Sequence, residues 1–132
     1  MRRIAIVAAL CGMLALPTLA SGADVVTLMA TTLSQTVKGK TVTFVETLRL
    51  GRKTAGVDRI VCRQIRGSVY NCTGRYTFSN GTITVAGRVN PKKVNNQVRV
   101  TGGTKTYVGA GGVLKLHTID NLHTRETFVF ND

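Results

Sequence analysis

The chain has 132 residues and carries 18 Lys and Arg against six Asp and Glu, a formal charge of +12. That length suits one domain with one core. With no Trp and only seven Phe and Tyr, it lacks the aromatic interleaving of a nucleic-acid stacking platform.

The first 23 residues read as an export address. Arg2 and Arg3 form a basic start, residues 4–16 are almost wholly apolar, and small residues at Ala20 and Ala23 offer two cleavage points. The apolar run is too short to span a bilayer and polar residues follow it, so a signal peptide is expected, with Cys11 discarded alongside it. Removing Arg2 and Arg3 leaves 16 basic residues against six acids, a formal +10, on a single domain over 24–132. That domain is expected outside the cell or in a periplasm.

Residues 24–33 form an apolar run with Thr, consistent with a strand buried on both sides. Residues 40–50 alternate apolar and polar, as a half-buried strand does. Residues 57–65 lead to a turn near Gly67, flanked by Cys62 and Cys72. A tight turn there sets the two cysteines opposite each other at a separation a disulfide can bridge. An even pair in an exported chain reads as that disulfide, the alternative being two buried thiols.

Asn80-Gly81 is the preferred pair for a two-residue hairpin turn. Centring the turn there pairs Phe78 with Ile83 and Tyr76 with Val85, which matches the apolar parity of both strands. Strands are also expected over 97–101, 113–119 and 122–130, with Pro91 in a loop. About eight short strands with frequent turn signals and no helix point to a sandwich or a closed barrel.

The run CTGRYTFSNGTITVAGRV from Cys72, followed by VRVTGGTKTYVGAGGVLKLH from Val98, resembles the dirigent and allene oxide cyclase barrel superfamily. Cys62 and Cys72 resemble its exported bacterial branch. The pattern's glycine after Gly-Gly-Thr is Lys105 in this chain. The resemblance implies an all-β, eight-stranded antiparallel barrel with an apolar cavity, assembled as a homotrimer. It does not transfer a reaction, because one fold hosts many chemistries.

Six acids allow each to be considered. Glu46 shares strand parity with Phe44 and Leu48, and Glu126 with Phe128 and Phe130, so both point to apolar faces. Burial raises a carboxyl's pKa and prepares a general acid or base, or a site for a polar ligand group. The competing reading is a buried ion pair with Arg59, Arg75 or Arg99. Asp58 lies near a strand start and is expected at a turn or rim. Tyr70, Tyr76 and Tyr107 are candidate ligand contacts, with Arg99, although packing tyrosines are common.

His117 and His123 bracket a turn without a third ligand, so no metal is expected. Gly102-Gly-Thr-Lys-Thr106 lacks the order of a phosphate loop and reads as a strand corner. No cofactor is implied. Arg49, Arg52, Lys53, Arg59, Arg63 and Arg66 are expected to cluster near one end of the second and third strands, with Arg88, Lys92 and Lys93 in another loop. Such charge favours anionic partners: acidic polysaccharide, cell-wall polymer, phospholipid headgroups or released nucleic acid.

Three readings follow. One is a cavity protein that binds a small apolar or phenolic molecule and steers its coupling or cyclisation. Another is a cofactor-free cyclase or isomerase using Glu46 or Glu126. The last is a non-enzymatic secreted protein that binds anionic polymers through its basic surface.

Overall fold

The computed structural model describes residues 24–131, and the expected signal peptide lies outside them. Eight strands follow in order: β1 (Val25–Lys38), β2 (Thr41–Leu50), β3 (Lys53–Arg66), β4 (Val69–Phe78), β5 (Gly81–Val89), β6 (Asn95–Gly103), β7 (Gly112–Thr118) and β8 (His123–Phe130). Each pairs antiparallel with the next, and β8 returns to β1, so the sheet is a closed barrel as expected. Closure satisfies the backbone groups that two edge strands would leave open.

Alternation places one side chain in two inside. Leu28, Leu48, Ile83, Leu114, Phe128 and Phe130 fill the interior. Phe128 stacks on Phe130 at 5.4 Å between ring centres and meets Tyr76 edge-on at 5.2 Å. These rings fill the half of the barrel nearer the β2–β3, β4–β5 and β6–β7 connections. The other end carries the β1–β2, β3–β4, β5–β6 and β7–β8 connections and remains open.

Cys62 and Cys72 are direct cross-strand partners and form the expected disulfide. Gly67, in the turn between them, adopts φ +50°.

The second hairpin differs from expectation by two residues. Phe78 pairs with Gly81 and Tyr76 with Ile83, so the turn is Ser79-Asn80. The facing parity survives because the slip is even. A Cβ on Gly81 would come within 2.4 Å of the Thr104 carbonyl oxygen. The glycine thus serves the close approach of the β6–β7 connection, and Asn80 is free to accept a 2.8 Å hydrogen bond from the Tyr107 hydroxyl.

That connection holds a single 3₁₀ turn, Lys105–Tyr107, which the strand pattern did not signal. Lys105 has φ +53°, the only positive φ among described residues other than glycine. It is the position where the resembled pattern carries glycine, and the left-handed backbone is the reason.

Two further expectations are corrected. β1 is buried on one face only: Val26, Leu28 and Ala30 point inward, whereas Val25 and Thr27 are exposed. A closed barrel of one layer covers only the inner face. The basic residues of β2 and β3 do not gather at one end either. Lys53 and Arg66 terminate a 14-residue strand at opposite ends of the barrel, about 45 Å apart along an extended chain.

Candidate functional site

The open half of the barrel encloses a cavity of about 470 Å³, within the size range of small-molecule sites. Phe44, Ile60, Val85, Val98, Leu114 and Leu116 supply its apolar wall, and Gln35, Tyr70, Asn96 and Thr124 add polar groups. The Cys62–Cys72 disulfide also lines it.

Glu46 and Tyr76 meet the cavity. They flank Asp58 in the sheet: Glu46 pairs with Asp58 across β2–β3, and Asp58 pairs with Tyr76 across β3–β4. Glu126, on β8 between its cross-strand partners Leu28 and Leu116, is buried behind them. Carboxylate oxygens of Glu46, Asp58 and Glu126 all lie within 4.8 Å of one another. All three acids and Tyr76 are buried, with Tyr76 fully enclosed.

The Thr32 hydroxyl donates to Glu46 Oε2 at 3.2 Å. Glu46 Oε1, both Asp58 oxygens, Glu126 Oε1 and the Tyr76 hydroxyl lack a well-formed protein hydrogen bond, and their nearest polar groups are one another: Asp58 faces Glu46, and Tyr76 faces Glu126. Buried polar groups without partners are costly, and they lie together at the inner end of an apolar chamber. Protons shared within the cluster, or a polar ligand group, would complete them.

Burial is the main force on their acidity. It raises Asp58, with the charges of Glu46 and Glu126 adding to the effect. It raises Glu126 well above the carboxylate range, again reinforced by Glu46. Glu46 is raised by burial too, but its contacts with Asp58 and Thr32 oppose the shift. Asp58 therefore retains its proton near neutrality, and Glu46 and Glu126 are shifted in the same direction. Tyr76 stays a phenol, raised by burial and the three neighbouring carboxyls. With all-oxygen donors, the same three carboxyls could also close on a hard divalent cation.

The expected glutamates thus meet, and Asp58 joins them. Its assignment to a turn or rim is corrected: the strand begins at Lys53, so Asp58 lies well inside it. β-parity with Ile60 and Cys62 already carried that information. The alternative of an arginine partner is overturned. Arg59, Arg75 and Arg99 are exposed on the outer wall, and the one ion pair among described residues joins His123 and Asp120.

Arg99 consequently does not reach the cavity as a ligand contact, because its neighbours Val98 and Val100 take the inward positions. Tyr70 and Tyr76 line the cavity. Tyr107 does not: it packs against Phe78 at 5.8 Å at the closed end, its hydroxyl held by Asn80. His117 Nδ1 donates to Asn95 Oδ1 at 2.7 Å, whereas His123 bonds Asp120 at 2.8 Å, so the histidines serve separate turns.

No protein-family model and no curated protein sequence matches the chain. Solved structures do. A pyocyanin demethylase superposes with a TM-score of 0.74 at 16% identity, covering 82% of this chain and 100% of the other. AbnU, an exo-specific intermolecular Diels-Alderase, gives 0.66 at 14% identity, covering 85% and 100%. The Diels-Alderase AbmU from Streptomyces koyangensis gives 0.63 at 12% identity; the match covers 83% of this chain and 64% of that one. At such identities the likeness establishes the barrel fold, and the narrower dirigent and allene oxide cyclase kinship stands on the sequence resemblance alone.

Proposed function

We propose that this chain is an exported barrel that binds a small, largely apolar or phenolic molecule and steers its cyclisation or coupling. The carrying observation is the buried cluster of Glu46, Asp58, Glu126 and Tyr76, from which Glu46 and Tyr76 line an apolar cavity. An apolar wall holds the ligand's body, while protonated carboxyls and the phenol meet its polar edge. Glu46 takes or lends the proton, since it lines the cavity; burial holds its pKa up, against the pull of its contacts with Asp58 and Thr32. Fixing a reactive ligand in one conformation supplies the rest.

Supporting this reading, the structural neighbours are named as enzymes acting on small organic molecules. The disulfide and the amino-terminal address support export. Assembly as a homotrimer belongs to the proposal through the dirigent-type resemblance. Native mass spectrometry of protein from its producer tests it: a bound small molecule that survives high salt is expected, and an empty barrel after exposure to a broad phenolic and polyene panel would sink it. Glu46→Gln then separates the two catalytic possibilities. An acid/base cyclase loses turnover, whereas a purely positioning barrel retains ligand and product geometry.

A second reading has its own observation. Arg59 and Arg75 are cross-strand partners on the outer wall, and Arg99, Lys115 and Arg125 are exposed elsewhere around it, on β6, β7 and β8. With three acids turned inward, this wall fits anionic polymers such as acidic polysaccharide or cell-wall material. Such binding is expected to collapse as salt rises.

A further inference from the structure

Among the described residues nine large apolar side chains are exposed, and six of them are found at the open end of the barrel. Leu33, Val37, Ile65, Val94, Ile119 and Leu122 are each between 46% and 62% exposed. Single exposed apolar residues need no explanation, but these come from all four pairs of strands that meet at the cavity mouth. Leu33 and Ile65 are located at register irregularities, between Thr32 and Ser34 and between Gln64 and Arg66. A bulge of this kind re-aims a side chain. The Thr32 amide bonds the Leu122 carbonyl at 2.8 Å, and the Thr118 amide bonds Val94 at 2.9 Å, which ties the rim segments to one another.

The same end is cationic. Lys38, Lys40, Arg66, Lys92 and Lys93 occupy or flank its turns and are exposed. Asp120 is the single acid there among described residues, and its carboxylate is engaged by the Leu122 and His123 amides and the His123 ring. An apolar rim set among cations matches an anionic lipid surface, where apolar side chains enter the acyl boundary and lysines meet phosphates. The barrel wall excludes spanning: Arg59, Arg75, Arg99, Lys115 and Arg125 face outward at mid-barrel, where a membrane barrel needs an apolar band.

We infer that the mouth of the barrel docks on anionic phospholipid bilayers, with the cavity opening toward the lipid. The docking depends on the rim and its charge and not on what the cavity binds. Apolar ligands would then pass between bilayer and barrel without crossing bulk water.

The test is flotation of the mature protein with vesicles of phosphatidylcholine alone and of an equal mixture with phosphatidylglycerol, at physiological salt. Binding to the mixed vesicles only is expected. Leu33→Ser with Leu122→Ser, which leaves charge unchanged, is expected to reduce bound protein at least tenfold. Lys92→Gln with Lys93→Gln is expected to lower affinity roughly fivefold per cation removed. The wall pair Arg59→Gln and Arg75→Gln is expected to leave binding unchanged. Binding that ignores the leucines and follows the wall arginines would overturn the proposal in favour of polyanion attraction. Absence of vesicle binding would overturn it too, as would a rim whose leucine substitutions convert an oligomer to monomer, since a second copy would then cover the mouth. None of these outcomes bears on ligand retention by the cavity, which the mass measurement reads separately.

Discussion

Glu46 and Asp58 are cross-strand partners on β2 and β3, and both point into the barrel. Two adjacent carboxyls in an enclosed space cannot both ionise without severe repulsion. A proton shared between them is therefore the resting condition, and Glu126 extends the pair to three. The site is an acid store at the end of an apolar chamber.

The pH dependence of stability follows from this. Burial raises Asp58 from its ordinary 3.8 to about 11, so between those values the folded chain binds more protons than the unfolded one. Its contribution is fully present below 3.8 and is lost as pH rises through that window. Glu46 and Glu126 are shifted in the same direction. Thermal melts are expected to show higher stability at pH 5 than at pH 9. Asp58→Asn is expected to flatten that slope and raise the pH 8 midpoint, by about 4–8 °C for each kcal/mol of strain relieved. An unchanged slope in the variant would refute the assignment.

Tyr76 and Tyr107 are expected to behave oppositely. The Tyr76 hydroxyl has no well-formed protein hydrogen bond and only the Glu126 carboxyl beside it, so Tyr76→Phe is expected to cost the empty protein less stability than Tyr107→Phe, while weakening ligand binding. Tyr107→Phe deletes the hydrogen bond to Asn80 and is expected to cost about 1 kcal/mol of stability with no effect on ligand affinity. Chemical denaturation and ligand titration of both variants separate the two roles.

The disulfide closes a short loop, with a sequence separation of 10, and chain entropy assigns such a loop about 2–3 kcal/mol. Replacing Cys62 and Cys72 together by Ala is expected to lower stability by about that amount. Because both cysteines line the cavity, ligand affinity is expected to fall as well. Retained affinity in the folded variant would place the ligand deeper, against Glu46 and Tyr76.

Lys105 occupies left-handed backbone at φ +53°, a conformation that costs an ordinary residue about 1–2 kcal/mol. Lys105→Gly is expected to stabilise the protein by up to about 1 kcal/mol, the remainder being offset by the glycine's greater freedom when unfolded. Urea unfolding of the pair measures the difference.

The amino-acid sequence by itself determined the strands, the parity of those that alternate, the cysteine pairing and the inward direction of Glu46 and Glu126, but not that the first strand buries one face only. These follow from a two-residue alternation that every buried sheet face must obey. The hairpin register slipped by two because Asn80 and Gly81 answer to the approaching 3₁₀ turn, a contact 24 or more residues away in the chain. Arg99 and Tyr107 likewise needed the closed sheet to show which side and which end they occupy. Only the tertiary structure decided that Glu126 meets Glu46 and Asp58, because barrel closure alone brings β8 beside β1 and across from β2 and β3. It also decided that the apolar rim and the cations share one end, since that depends on which turns a closed antiparallel barrel collects together.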